Sequence, residues 1–259
     1  MNIITVLTDF GLKDPYVAIM KGVMLSANPL VKIVDITHEV GPQDLEEASF
    51  LIGEYYARFP VGTIHLCVVD PTVGSVRRPV VVSKDGRLFV GPDNGIFSLL
   101  FRGADARAWE IEEKGRPEGT ISGTFHGRDV FAPAAARLSL GASPSGFGPA
   151  VTEPVTLPRL FPDVEGDVMN GKIVRFDRFG NAISNIAFDA FETFVHGRPF
   201  TITLDDLSFT ALSRSYYEGR HTCLVGSSGY LEFGVFMGDL AAEQDLRKGD
   251  RVEVMRGAP

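Results

Sequence analysis

Three short stretches carry side chains able to do chemistry on a small polar ligand. Thr8-Asp9-Phe10-Gly11 follows the apolar run Ile3 to Leu7, and Val69-Asp70-Pro71-Thr72-Val73-Gly74-Ser75-Val76-Arg77-Arg78 follows another. Gly123-Thr124-Phe125-His126-Gly127-Arg128-Asp129 leads into a helical pattern. Ligands of open α/β sheets bind beyond the carboxyl ends of strands, so an acid at Asp9 suits the two hydroxyls of a ribose. An acid that merely shapes a strand-to-helix turn suits the same position, and position alone does not separate the two. Pro71 and Gly74 predict a turn that draws Asp70 towards Arg77. Read alone, that loop is better explained as structural, with a surface ion pair that contributes little. His126, with glycines on either side, reads as a presented side chain, and Phe125 offers a face to a purine. A lone histidine is nevertheless more often a packed or solvated residue than a catalyst.

Other chemistries lack their residues. The Asp-Phe-Gly at Asp9 has no glycine-rich loop or His-Arg-Asp before it, so the kinase reading fails. His38, His65, His196 and His221 show no zinc spacing, and no Cys-x-x-Cys occurs, so no bound metal is indicated. Neither Walker A nor Gly-x-Gly-x-x-Gly is present, which removes the usual cradle for a polyphosphate or dinucleotide. Cys67 and Cys223 each sit in an apolar run and read as small core residues of a reducing compartment. The formal charge of -8 repels phosphate backbones, so nucleic acid is not an expected partner. No secretory leader and no membrane span are expected, which makes the cytoplasm the expected location.

The elements that must position these residues follow from pattern. Short β-branched runs alternate with amphipathic segments up to about residue 140, the signature of an α/β domain. Strands are predicted at Ile3 to Leu7, Lys32 to Ile36 and Thr63 to Val69. Asp14 followed by Pro15 predicts a capped helix with Val17, Met20, Val23 and Met24 on one face. A second helix is expected from Asp44 to Arg58, with Leu45, Ala48, Leu51, Ile52, Tyr55 and Phe59 buried. Asp85-Gly86 predicts a hairpin joining Pro79 to Val82 with Leu88 to Val90. A last helix is expected over Arg128 to Leu140. Prolines 144, 149, 154, 158 and 162 then recur among Gly, Ser and Thr. The expected organisation is an α/β domain over 1–150, a linker without elements over 151–168, and a smaller β domain over 169–259. Strands of that last domain are predicted at Lys172 to Phe176, Phe200 to Leu204, Thr222 to Val225, Tyr230 to Val235 and Arg251 to Met255. Asp177-Arg178-Phe179-Gly180-Asn181 follows one of these strands and Gly226-Ser227-Ser228-Gly229-Tyr230-Leu231-Glu232 lies between two others, and both read first as β-turns.

Seven stretches in register nevertheless resemble one family: TDFGLKDPYV (8–17), ITHEVGPQD (36–44), VVDPTVGSVRR (68–78), GPDNG (91–95), FHGRDVFAPAAA (125–136), FDRFGNAISNI (176–186) and SSGYLE (227–232). They are similar to the S-adenosylmethionine (SAM) hydroxide adenosyltransferases, adenosine-forming SAM hydrolases homologous to the SAM-dependent fluorinase and chlorinase. The resemblance implies an N-terminal α/β domain with a central, mostly parallel sheet and a C-terminal, barrel-like β domain. It also implies a homotrimer that holds SAM between one subunit's N-terminal domain and its neighbour's C-terminal domain. By the same resemblance Asp9 grips the ribose, and Asp14 and Tyr16 line the methionine side of the pocket, with Phe10 and Phe125 expected among the substrate-binding residues. Phe179 stacks on adenine and Asn181 reads it. Asp177 faces the methionine ammonium, and Ser227 and Ser228 hold its carboxylate. SAM is then substrate, adenosine and methionine are products, and no cofactor is implied.

Asp70, Arg77 and His126 match the acid, arginine and histidine of the hydrolases, where the halogenases carry other residues, so hydroxide is the implied nucleophile. Two departures accompany the match: Phe236 replaces an asparagine of many relatives, and Gly127 replaces a serine of the fluorinase. An arginine about 4 Å from a nascent hydroxide supplies roughly 4 kcal/mol at an effective dielectric near 20, about three pKa units. Against about 15.7 for bulk water that is insufficient. The expectation is that Asp70 and His126 take the proton as a coupled pair, with the holder left open. A SAM halogenase and a SAM- or adenosine-binding sensor without turnover are the rival readings.

Overall fold

The computed structural model describes residues 3–103, 105–112 and 121–258. The chain divides into two compact units, Met1–Leu157 and Pro158–Pro259.

The first unit is built on β1 (Ile3–Thr8), α1 (Tyr16–Ala27), β2 (Lys32–Thr37), α2 (Leu45–Tyr55), β3 (Ile64–Val68), β4 (Pro79–Lys84), β5 (Arg87–Pro92), β6 (Arg107–Glu110), α3 (Ala132–Ser139) and β7 (Ala150–Val151). Its sheet runs β2-β1-β3-β5-β4-β6-β7, parallel from β2 to β5 and antiparallel beyond. Alternation sorts the side chains by face. Ile4, Val6, Leu66 and Val68 join Met20 and Met24 of α1 and the alanines of α3, whereas Leu7, Cys67 and Val69 join Ala48 and Ile52 of α2. Both faces are therefore covered, which explains why β3 is buried throughout. Because β2 and β3 flank β1 on opposite sides, the chain reverses direction across the sheet at β1. Ligand crevices of open α/β sheets form at such switch points, beyond the strand ends. Asp9 follows β1 there, and Asp70 follows β3.

Local rules hold in places. Asp44 caps α2, accepting from the Glu47 amide at 2.9 Å. Asp85 and Gly86 both take positive φ, 50° and 69°, as the tight β4–β5 turn requires. Three local expectations change. Asp14 does not cap α1: Pro15 occupies the cap position, and no side chain bonds the first turn. The helix expected from Arg128 begins instead as a π-helical turn, Gly127–Phe131, before α3. Pro133 accounts for this, since its ring and missing N–H are incompatible with a regular preceding turn. The segment expected to lack elements contains β8 (Asp163–Glu165), while Pro154, Pro158 and Pro162 lie outside strands.

In the second unit β8 pairs with β9 (Val168–Phe176), followed by β10 (Ala182–Ala187), α4 (Phe188–Val195), β11 (Phe200–Leu204), β12 (Leu207–Phe209), β13 (His221–Val225), β14 (Tyr230–Val235), α5 (Leu240–Glu243) and β15 (Arg251–Arg256). The antiparallel order is β12-β11-β15-β9-β10-β14-β13. A bridge between Ser213 and Leu224 brings the two ends together, leaving a nearly closed barrel around Ile173, Ile202, Phe233 and Val252. Sequence reading missed β10, whose Ser184 and Asn185 break the apolar run. Both are buried, Ser184 donating to the Leu231 carbonyl at 2.8 Å and Asn185 to that of Leu160 at 3.2 Å.

Candidate active site

At the end of β3 the chain makes successive tight turns, with the Val73 amide on the Asp70 carbonyl at 3.3 Å and that of Ser75 on Thr72 at 3.0 Å. These fold Arg77 back onto Asp70. Nε of Arg77 donates to both carboxylate oxygens at 3.0 and 2.9 Å, and Nη2 donates to Oδ2 at 2.5 Å. The side chains are only 6% and 5% exposed, so this is a buried pair rather than the surface pair that the loop alone suggests. Nη2 also reaches Nδ1 of His126 at 2.7 Å.

Contact between two loops makes that meeting possible. Gly74 has φ +78°, and a Cβ there would lie 2.2 Å from the Gly123 carbonyl, so only glycine lets the Asp70–Arg77 loop approach the segment carrying His126. The guanidinium rests 5.2 Å from the ring centre of Phe131, at the end of the π-helical turn that His126 opens. Its remaining nitrogen, Nη1, is buried and has no partner among the described residues. Buried guanidinium nitrogens are seldom left without an acceptor, so this one marks a place where a ligand or water oxygen would complete the site.

Proton positions follow from these partners. Arg77 can only donate, so Nδ1 of His126 accepts and the neutral ring carries its proton on Nε2. Burial and then the Arg77 charge lower the His126 pKa below its usual range, which keeps the ring neutral. In this arrangement His126 has no free lone pair and Asp70 does. Asp9 stands near enough to be affected by Asp70. Burial raises its pKa, the Asp70 charge adds to the rise, and the Gln43 amide opposes it by donating to Oδ2 at 2.8 Å. Behind Asp9, Thr8 Oγ1 bonds Nδ1 of His38 at 2.9 Å, and the Gly11 amide donates to the His38 carbonyl at 2.8 Å. The loop bearing Asp9 is thus tied to the segment after β2.

Phe10, Tyr16 and Phe125 form one edge-to-face cluster, with ring centres 5.2 to 6.1 Å apart. Arg128 lies 5.2 Å from the Phe125 ring centre. Asp14 is exposed at the start of α1 and is not drawn to Asp70, Arg77 or His126. Sequence reasoning gave no role to Asp93 and Asn94, although it singled out GPDNG. Asp93 is buried and pairs with Arg78 at 2.5 Å, while Asn94 donates to the Val69 carbonyl at 2.9 Å. These contacts hold the backbone on either side of the Asp70–Arg77 loop.

In the second unit Asp177, Phe179, Asn181, Ser227 and Ser228 line one cavity of about 580 Å³. The two turns expected there do form, with the Gly180 amide on the Asp177 carbonyl at 3.1 Å and the Gly229 amide on that of Gly226 at 2.9 Å. Asp177 also accepts from the amides of Phe179 and Asn181 at 2.8 and 2.9 Å and from Asn181 Nδ2 at 2.9 Å. Tyr216 and Glu232 line the same cavity; sequence reading took Glu232 only as the end of a turn segment and gave no role to Tyr216. The available signal was an acid inside a strand otherwise composed of core residues.

Comparison with known proteins identifies the family. The SAM hydroxide adenosyltransferase N-terminal domain model matches residues 4–148, and the corresponding C-terminal domain model matches residues 171–253. An (R)-S-adenosyl-L-methionine hydrolase of Thermus thermophilus is 40% identical over 263 residues, covering 96% of this chain and 98% of its own. A fluorinase of Nocardia brasiliensis is 28% identical over 291 residues, covering 98% and 97%. The crystal structure of an uncharacterised conserved protein from Thermotoga maritima superposes with a TM-score of 0.87 at 33% identity, covering 98% of this chain and all of the other. The chain belongs to the SAM hydroxide adenosyltransferase family.

Proposed function

We propose that this protein hydrolyses S-adenosyl-L-methionine to adenosine and L-methionine, with water attacking C5′ in line with the departing sulfur. The proposed substrate form is (R)-S-adenosyl-L-methionine, the one named for the Thermus relative. One observation carries the reading: a buried Asp70–Arg77–His126 assembly in which one guanidinium nitrogen is left without a partner.

Water binds at Nη1 of Arg77 and is oriented by it. As the O–C5′ bond forms, the C5′–S bond breaks and its electron pair stays on sulfur, giving neutral methionine. The leaving group therefore needs no proton. The water's proton passes to Asp70, which retains free lone pairs, while His126 stays neutral and fixes Nη2. Hydroxide need not exist free, because the proton leaves as the bond to carbon develops. A positioned base of this kind contributes about two to four orders of magnitude in rate. Orientation in line with C5′ and the electrostatic support of Arg77 supply more.

Asp9 takes the ribose hydroxyls, Asp14 and Tyr16 line the methionine side of the pocket, and Phe10 and Phe125 contribute to the substrate-binding wall. Asp177, Phe179, Asn181, Ser227 and Ser228 receive the adenine and methionine ends. The family resemblance supports a homotrimer in which neighbouring subunits complete each site. Exposed apolar side chains, Val76 beside the first half-site and Phe179 and Met237 beside the second, fit surfaces covered on assembly. Incubation of the purified protein with SAM in excess chloride tests the reading. Adenosine and methionine as the products support it, 5′-chloro-5′-deoxyadenosine indicates the halogenase, and SAM bound without turnover indicates the sensor.

A further inference from the structure

The cavity of the second unit holds a polar assembly that the proposed chemistry does not use. Glu232 projects from β14 into a cavity it shares with Asp177, yet the residue is only 7% exposed. Its Oε1 accepts a short hydrogen bond from the Tyr216 hydroxyl, and Asn181 Nδ2 approaches the same hydroxyl at 3.5 Å. A chain of contacts therefore runs from Glu232 through Tyr216 and Asn181 to Asp177. Glycines make room for it. A Cβ at Gly226 would lie 2.0 Å from Oε2 of Glu232, and one at Gly234 would lie 2.6 Å from Asn181 Oδ1 and 2.8 Å from the Tyr216 ring.

Two carboxyl groups facing one cavity repel each other, and a cation bound between them relieves that cost. Ser227 and Ser228 supply hydroxyls on the same wall, and Arg175 and Arg214 supply positive charge, which suits a ligand bearing both an ammonium and a carboxylate. We infer that Glu232 is a second carboxylate for the ammonium end of the substrate, beside Asp177, and that Tyr216 is its positioning residue. The inference rests on the SAM reading for the identity of the ligand.

A consequence concerns protons. The groups facing Glu232 are Tyr216 and Arg214 from the loop before β13, Asp177 from the β9–β10 turn and Arg175 from β9. Burial raises the Glu232 pKa above the usual glutamate range and Asp177 adds to it, while the Tyr216 bond and Arg175 oppose the rise. The Tyr216 pKa is itself raised by burial and by Glu232, so the hydroxyl stays a donor. An ammonium captured beside Glu232 favours the charged carboxylate and opposes the rise in its pKa, so binding is coupled to release of protons from this group to solvent.

Titration calorimetry on the full-length protein tests this with L-methionine, its des-amino analogue and adenosine, in two buffers of different ionisation heat. Wild type is expected to release more protons with methionine than with the des-amino compound. Glu232→Gln keeps an acceptor for Tyr216 but loses the charge, so methionine binding should weaken about tenfold, one charge-assisted contact. The other two ligands should stay within about twofold, and the excess proton release should vanish. In turnover, KM for SAM should rise about tenfold with kcat nearly unchanged. Tyr216→Phe, which keeps the ring, should weaken methionine alone. Equal weakening of all three ligands, or unchanged methionine binding in Glu232→Gln, would overturn the inference. Absence of SAM turnover together with the Glu232-dependent methionine preference would defeat the proposed function and leave this inference standing.

Discussion

Replacing Asp70 with asparagine is the most informative single change, because it removes one charge and one base while preserving shape. In the parent, the Arg77 guanidinium donates to Asp70 through Nε and Nη2 from a site only a few per cent exposed. Removing one partner of a buried ion pair costs about 3–5 kcal/mol, since the other charge is left buried and uncompensated. Asparagine keeps one acceptor oxygen, which places the expected cost near the lower limit. For a unit of this size about 3 kcal/mol corresponds to a fall in melting temperature of roughly 6–12 °C. The loss of base adds a kinetic effect of about two to four orders of magnitude in kcat. The His126 pKa should fall further, because the negative charge of Asp70 works to raise it. Thermal melts combined with quantified adenosine release, at a temperature where the variant is fully folded, separate the two effects. Turnover within a few-fold of the parent in a folded Asp70→Asn protein would refute the assignment of Asp70 as proton acceptor.

Three further outcomes are expected. Gly74→Ala forces a Cβ onto the Gly123 carbonyl at a left-handed φ, so it should cost at least about 2 kcal/mol and reduce kcat by separating Arg77 from His126; a melt and a rate assay check both. Asp9→Asn should raise KM for SAM roughly tenfold or more with a smaller change in kcat, as loss of a charge-assisted grip on the ribose requires. Burial lowers the His65 pKa to about 3, from the ordinary 6.5, with Arg87 adding to the effect. The unfolded chain therefore binds a proton that the folded unit refuses. Stability from this residue is complete above about pH 6.5 and declines towards pH 3, by up to about 5 kcal/mol. Denaturant titrations across that range should show a shallower acid-side decline in His65→Gln than in the parent.

Legibility in the sequence depended on distance along the chain. Asp44 as a helix cap and Asp85-Gly86 as a hairpin turn were readable because each acts within a few residues. Asp70 and Arg77 were readable as a pair for the same reason, their turn being fixed by Pro71 and Gly74. The burial of that pair was not readable, because it depends on packing from other elements. The meeting with His126 was equally hidden, since it rests on a backbone contact between Gly74 and Gly123 that spacing does not encode. The family resemblance grouped the three residues, and the structure adds the direction of their hydrogen bonds, on which the proposal that Asp70 takes the proton rests. Glu232 was given no role because a strand pattern treats an acid in a core strand as an exception, whereas Tyr216 and two glycines accommodate it.

Hydrolysis of SAM in water enriched in heavy oxygen tests the central claim most directly, because it reports which atom the nucleophile joins. Mass spectrometry should place one heavy oxygen in the 5′-hydroxyl of adenosine and none in methionine. Heavy oxygen in methionine, or adenosine carrying only the ordinary isotope, would contradict attack of water on C5′.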